Sequence, residues 1–217
     1  MKKFILILSL ITGFTITTSA QSGIRLSVTG GYVFDDNMNY YNNNTEYYEG
    51  TVEGGFQWGL EFEYVLRNNL GLGFKYLHQD TKAPFSYYNN GVKSKEFDLG
   101  VNYYLFGGTY YFELDNKMIE PYVGLGFGWA NLKAKTDSTS GQNRTAFAWN
   151  LKGGTNIWFG EAQRVGVKVQ GEFLSASAAT GGAYFWTYYG PVYANTYTTL
   201  NQFSLGAGLV FKLGSSK

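Results

Sequence analysis

Residues 56–66 read FQWGLEFEYVL. Phe56, Trp58, Leu60, Phe62, Tyr64 and Leu66 occupy alternate positions, with Gln57, Gly59, Glu61 and Glu63 among those between them. Successive side chains of a strand point to opposite faces, so this period of two marks a β-strand. One face is large and apolar, the other small, polar and acidic. Any fold proposed for the chain must say which solvent each face meets.

The same period recurs. Residues 24–34 set Ile24, Leu26, Val28, Tyr32 and Phe34 against Arg25, Ser27, Thr29 and Gly31. Residues 70–79 set Leu70, Leu72, Phe74 and Tyr76 against Gly71, Gly73 and Lys75. In 93–106, Phe97, Leu99, Val101, Tyr103 and Leu105 form the apolar face, against Asp98, Gly100, Asn102 and Tyr104. Residues 119–132 oppose Ile119, Pro121, Val123, Leu125, Phe127 and Trp129 to Tyr122, Gly124, Gly126 and Gly128. Residues 145–158 oppose Phe147, Trp149, Leu151 and Ile157 to Asn150, Lys152, Gly154 and Asn156, until Trp158 breaks the pattern and predicts a bulge or an inward Trp. Residues 164–174 oppose Val165, Val167, Val169 and Phe173 to Gly166, Lys168, Gln170 and Glu172. Residues 199–213 oppose Phe203, Leu205, Ala207, Leu209 and Phe211 to Ser204, Gly206, Gly208 and Lys212.

These segments, with 54–66, predict eight strands and no sustained helix. Residues 35–52, 80–92, 133–144 and 175–198 read as long polar loops, 67–69 and 160–163 as short turns, and 107–117 as an intermediate connection. Antiparallel neighbours joined in this alternation place every long connection at one end. The expected fold is all-β, an eight-stranded antiparallel up-and-down barrel in a single domain.

The N-terminus suggests a compartment. Lys2 and Lys3 precede the apolar run Phe4–Ile11, and Thr18-Ser19-Ala20 ends in small residues. This predicts a signal peptide over 1–20, cleaved after Ala20, and a barrel domain over 21–217. The run is too short to span a bilayer as a helix of about 20 residues. With 0 Cys the chain can form no disulfide, thiolate metal site, Cys nucleophile or Cys-linked lipid anchor. A net charge of +1 supplies no argument for nucleic acid. No cofactor or metal site is expected, and a monomer is.

An eight-stranded barrel can enclose its apolar face, as soluble lipid carriers do, or turn it outward to lipid. Three features favour lipid. The polar face is made of Gly, Ser, Asn and Gln with isolated charges, and charged residues are only 15% of the chain, against roughly 25% in a soluble domain. Its charges balance, with Arg25, Lys75, Lys152 and Lys168 facing Glu61, Glu63, Asp98 and Glu172. A closed lumen needs such a set, because a buried charge must be paired. With a three-residue turn at 67–69, Glu61 would stand opposite Lys75. Third, Trp58, Trp129 and Trp149 fall toward the long-loop ends of their strands, with Tyr64 and Tyr103 toward the short-turn ends. That is the pattern of aromatic girdles at a membrane interface. A secreted barrel of this kind is expected in a bacterial outer membrane, with its termini in the periplasm and the long loops outside.

GLGFKYLH (71–78), FDLGVNYYLF (97–106), PYVGLGFGWA (121–130) and FSLGAGLVFKL (203–213) resemble the small OmpA- and OmpX-like barrels of the porin-like superfamily. The resemblance covers the mature chain and implies an integral outer-membrane barrel. The chain departs from the pattern at its end, where Phe211 is followed by KLGSSK, and only the barrel part of the OmpA resemblance applies.

Chemistry is sparse. His78 is the only histidine and lacks a Ser at a matching spacing, so an interfacial role outweighs that of a general base. Glu61 and Glu63 read as members of a structural ion network rather than a catalytic pair. Gly124–Gly128 lies within a strand and has no helix to make a phosphate loop. The Tyr-rich stretches 40–48 and 184–197 could contact a surface ligand through loops 35–52 and 175–198. The leading expectation is a non-enzymatic structural or adhesive barrel. The alternatives are a narrow porin-like channel, a lipid-modifying enzyme and a soluble lipid carrier.

Overall fold

The computed structural model describes residues 23–42, 46–66, 69–88, 92–136, 139–187 and 190–213, with side chains described for 23–36, 51–66, 69–84, 98–133, 144–177 and 199–213. The expected signal peptide over 1–20 and the turn residues Arg67 and Asn68 lie outside them. Among the described residues all regular structure is strand: β1 (Gly23–Val33), β2 (Asp36–Asn42), β3 (Glu46–Val52), β4 (Gly55–Val65), β5 (Leu70–Tyr88), β6 (Val92–Tyr111), β7 (Ile119–Thr136), β8 (Thr139–Phe159), β9 (Val165–Thr187) and β10 (Gly190–Leu213). Eight of them pair antiparallel in the order β5-β4-β1-β10-β9-β8-β7-β6, and β5 pairs with β6 to close the ring. Closure leaves no unpaired edge within this ring of eight, the condition for a sheet to stand in lipid.

β2 and β3 continue the β1–β4 hairpin in unbroken register, Val33 opposite Gly55 and Asp36 opposite Val52, and β3 also pairs with the outer part of β5. At the short-turn end, Leu66 N donates to Leu70 O at 2.8 Å and Tyr111 N to Asn69 O at 2.9 Å. Asn69 has φ 58°, a left-handed conformation that Asn tolerates well.

The long connections differ from expectation. Residues 35–52, 80–92, 133–144 and 175–198 are not irregular loops but for the most part paired ladder: β5 runs 19 residues, β6 20, β8 21, β9 23 and β10 24. A tilted membrane strand needs about 9–11 residues, so each hairpin rises far beyond a bilayer. Composition rich in Asn, Tyr and Gly predicts long polar loops there. Continuous cross-strand pairing overrides that local preference.

Inward and outward residues alternate around the ring. On β4, Gln57, Glu61 and Glu63 are buried while Phe56, Trp58, Leu60, Phe62 and Tyr64 are exposed. On β7 the outward residues from Ile119 to Trp129 cover ten steps, about 33 Å of strand, or roughly 25 Å of height at a tilt near 40°. That is the height of an outer-membrane apolar band.

β6 reverses the expected assignment. Val101, Tyr103 and Leu105 are buried in the lumen, and Tyr104 and Phe106 turn outward. The cause is register. Phe106 stands opposite outward Phe74, their rings 5.0 Å apart, which places Leu105 beside inward Lys75. Residues 103–106 are apolar on both faces, so parity alone did not decide the side. Trp158 is inward and fully buried, with no register shift between β8 and β9.

The lumen has two tiers. Toward the hairpin end it is uncharged and mixed, with Leu77, Val101, Tyr103, Leu105, Leu174, Leu200 and small alanines packed around the buried amides of Gln57, Gln79 and Gln202. Toward the short-turn end it is charged. The polar lumen expected from the sequence is thus charged at one end and, at the other, reduced to neutral amides set among apolar side chains.

Candidate functional site

The charged tier forms one connected network. Glu61 and Glu63 project inward from β4, and Lys152 from β8 bonds Glu61 and lies 3.3 Å from Glu63 Oε1. Lys168 from β9 also reaches Glu61. Lys75 from β5 crosses the lumen to Glu172 Oε2 at 2.6 Å. Asn150 donates to the same carboxylate, as does Gln170 at 3.2 Å, and Thr109 and Tyr111 donate to Glu63. All of these ionic side chains are almost completely buried, so the attraction in each pair acts against a large desolvation cost. The hydrogen bonds to the remaining carboxylate oxygens are what make the arrangement tolerable.

Glycine supplies the room. A Cβ at Gly124 would stand 2.6 Å from Lys152 Cε, and one at Gly73 would stand 2.7 Å from Glu63 Cγ. Those positions can hold no larger residue while the ions stay in place.

A second cluster closes the short-turn end. Arg25 forks onto Glu120, Nη1 to Oε2 at 2.8 Å and Nη2 to Oε1 at 2.9 Å. Asn156 Nδ2 and Trp158 Nε1 donate to the same Glu120 oxygen at 3.0 and 3.2 Å. The Arg25 guanidinium also lies 3.9 Å over the Tyr111 ring, and Lys212 Nζ lies 3.8 Å over Trp158.

Seven of the eight residues expected in the ion network thus face the lumen: Arg25, Glu61, Glu63, Lys75, Lys152, Lys168 and Glu172. Asp98 does not. It lies on the exposed outer face of β6, because the reversed parity that buries Val101 turns residue 98 outward. Glu120 takes its place in the charge balance. It stands between outward Ile119 and Pro121, where the apolar run draws attention to the other face. The inward Tyr122, two residues on, carries the parity that identifies it. Glu61 does stand opposite Lys75 in the β4–β5 register.

Outside the barrel, aromatic rings form a row at the hairpin-side edge of the apolar band. Trp58 meets Tyr76 at 5.5 Å, Tyr76 meets Tyr104 at 5.3 Å, and Tyr104 stacks on Trp129 at 5.7 Å. Trp149 packs on Phe173 at 5.5 Å, and Tyr64 is outward near the other edge. Tyr103 is corrected: it is fully buried in the lumen, and its neighbour Tyr104 occupies the outer row.

His78 is outward and half-buried beside this row. Its Nδ1 is 2.9 Å from Asn102 Oδ1 and its Nε2 is 3.1 Å from Asp80 Oδ2. No nucleophilic hydroxyl is among these partners. Among the described residues no group of three His, Asp or Glu side chains is placed to hold a metal ion, and no helix is long and apolar enough to cross a membrane. The side chains of the Tyr-rich stretches 40–48 and 184–197 lie outside those described.

The sequence matches no protein-family model and no curated protein. Solved structures do match. Neisserial surface protein A aligns over 88% of this chain and 97% of its own, at 14% identity and a TM-score of 0.56. The outer membrane protein OprG from Pseudomonas aeruginosa aligns over 89% and 97%, at 13% identity and a TM-score of 0.56. Identity this low speaks to architecture alone, and on architecture the agreement extends over nearly the whole of both barrels. The chain has the fold of the small eight-stranded outer-membrane β-barrels.

Proposed function

We propose that this protein is an integral barrel of a bacterial outer membrane with a closed lumen, and that its role is structural or surface-interacting, carried by the hairpins that extend beyond the bilayer. In this reading residues 1–20 are a cleaved signal peptide and both termini face the periplasm. The lumen ions Arg25, Glu61, Glu63, Lys75, Glu120, Lys152, Lys168 and Glu172 act structurally, and Trp58, Trp129, Trp149 and Tyr64 anchor the barrel at the two interfaces.

The observation that carries the closed-lumen reading is the space left at the ion network. The cavity between Glu61, Glu63, Lys75 and Lys152 measures about 10 Å³, at the lower limit for holding a single water. The uncharged tier of Leu77, Leu105 and Leu174, with Gln57, Gln79 and Gln202 among them, lies beyond it. A hydrated solute has no path past both. Three strongly bonded carboxylates, Glu61, Glu63 and Glu172, in so tight a section suit a static plug better than a conduit.

The test is planar-bilayer conductance of the refolded protein, together with gel mobility of the outer-membrane fraction with and without boiling in SDS. The reading expects a heat-dependent mobility shift and no steady conductance. Steady open channels would transfer the role to solute passage. A soluble periplasmic protein with no shift would turn the exposed apolar band into an unexplained surface and defeat the membrane assignment.

A further inference from the structure

The lumen charges balance in the ion tier but not below it. In the tier, Lys75, Lys152 and Lys168 meet Glu61, Glu63 and Glu172. At the short-turn mouth, Arg25 and Lys212 share Glu120 as their one inward carboxylate among the described residues. The two cations are register partners on β1 and β10, and like charges directly opposite repel. Glu120 has nothing left for Lys212. Its oxygens take two donors from Arg25 and one each from Asn156 and Trp158, which fills the roughly four lone-pair positions of a carboxylate. Lys212 Nζ rests over the Trp158 ring, and no carboxylate among the described residues is within ion-pair reach of it.

Beside Lys212 lies a concavity of about 290 Å³. Asn69, from the turn between β4 and β5, and Lys117, from the connection between β6 and β7, help to line it. That connection is held across the mouth: Gln163 Nε2 donates to Lys117 O at 3.0 Å, and Trp158 N to Met118 O at 2.8 Å. Neither the Lys117 ammonium nor the Asn69 side-chain amide has a partner among the described residues.

We infer that this concavity binds a phosphate group at the periplasmic mouth of the barrel, with Lys212 as its main anchor. The inference rests on the closed-lumen reading and the orientation above and adds a ligand to them. Charge is the first argument. A bound anion gives Lys212 the partner that Glu120 cannot supply, and brings the mouth to the balance the ion tier already has. Of the acids in the lining, Glu120 is neutralised by the Arg25 fork, and Glu113 stands exposed against two lysines.

The placing of the donors is the second argument. Lys212, Lys117 and Asn69 come from three separate parts of the chain and approach from different walls. A phosphate presents oxygens in several directions and meets donors on each. A chloride ion in a space of this size reaches one wall. The phosphate can come from solution or from the headgroup of an inner-leaflet phospholipid, whose acyl chains would lie against Phe112 and Leu114, both exposed on the rim.

The experiment follows the Trp158 indole N–H by NMR in the refolded protein, held in dodecyl maltoside, a detergent without phosphate. Inorganic phosphate is titrated in place of chloride at constant ionic strength. The expected result is a saturable shift of that resonance with phosphate and none with chloride. Lys212→Gln and Lys117→Gln should each weaken the response about tenfold, the effect of losing one charge-assisted contact. Lys133→Gln, at the other end of the barrel, should respond as the wild type does. All variants should keep the heat-dependent gel shift that reports a folded barrel. The same resonance in phosphatidylglycerol nanodiscs separates the two sources. A shift already present there, to which added phosphate contributes nothing, assigns the site to the lipid headgroup. A shift that appears only on adding phosphate assigns it to the free anion. No saturable shift in either medium, an equal response to chloride, or an unchanged response in Lys212→Gln overturns the proposal. Steady bilayer conductance would instead defeat the closed-lumen reading, a result distinct from a closed barrel that ignores phosphate.

Discussion

Glu61 and Lys75 are register partners on adjacent strands, yet Lys75 Nζ sits 2.6 Å from Glu172 Oε2 across the lumen, while Glu61 holds Lys152 and Lys168. Neighbours in the sheet are thus not the ion pairs that matter. The bonds cross the interior and tie β4 and β5 to β8 and β9. A barrel wall is held by its backbone ladder, but its cross-section is held by contacts of this kind.

Removing the hub of the network should be costly. Glu61→Gln leaves Lys152 and Lys168 buried with less compensating charge, and breaking a buried pair costs about 3–5 kcal/mol. Urea-dependent refolding into lipid vesicles should show that loss. Glu61→Gln combined with Lys152→Gln should lose less than the sum of the single changes, because the two groups share one interaction.

Asp98 and Glu120 should behave oppositely. Asp98→Asn, on the outer face, should change barrel stability by no more than about 0.5 kcal/mol. Glu120→Gln weakens the bidentate partner of Arg25 and the acceptor of Trp158 Nε1, and should cost about 2 kcal/mol or more. The same unfolding assay compares them directly.

The glycines beside the ions should resist substitution. Gly124→Val places its side chain where Lys152 Cε now lies and should lower the yield of folded barrel, read as the heat-shifted band on an unboiled gel. Gly100→Val, which meets only ordinary contacts, should fold normally.

Much of this architecture could be read from periodicity. The strands now numbered β1, β4, β7, β8 and β9 carry large apolar residues on one face and small or charged ones on the other, so their sides followed from residue type. β6 did not, because at its level the lumen is greasy as well: Val101, Tyr103 and Leu105 are as apolar as outward Phe106. Only pairing with β5 separates the faces. The hairpin extensions were invisible for a related reason. Outside the bilayer neither face of a strand is selected for lipid, so alternation fades while backbone pairing continues. The ion network was largely legible because a closed lumen demands balanced charge. Glu120 was missed and Asp98 included through the same reliance on local alternation over long-range register.

The most direct measurement of the lipid-facing account is fluorescence quenching by lipids brominated on their acyl chains. Two single-Trp proteins are needed, one keeping Trp129 and one keeping Trp158, with the other tryptophans replaced by Phe. Trp129 is 42% exposed on the outer wall and Trp158 is 0% exposed within the lumen. The account predicts strong quenching of Trp129 and little of Trp158. Comparable quenching of both, or protection of Trp129, would contradict it.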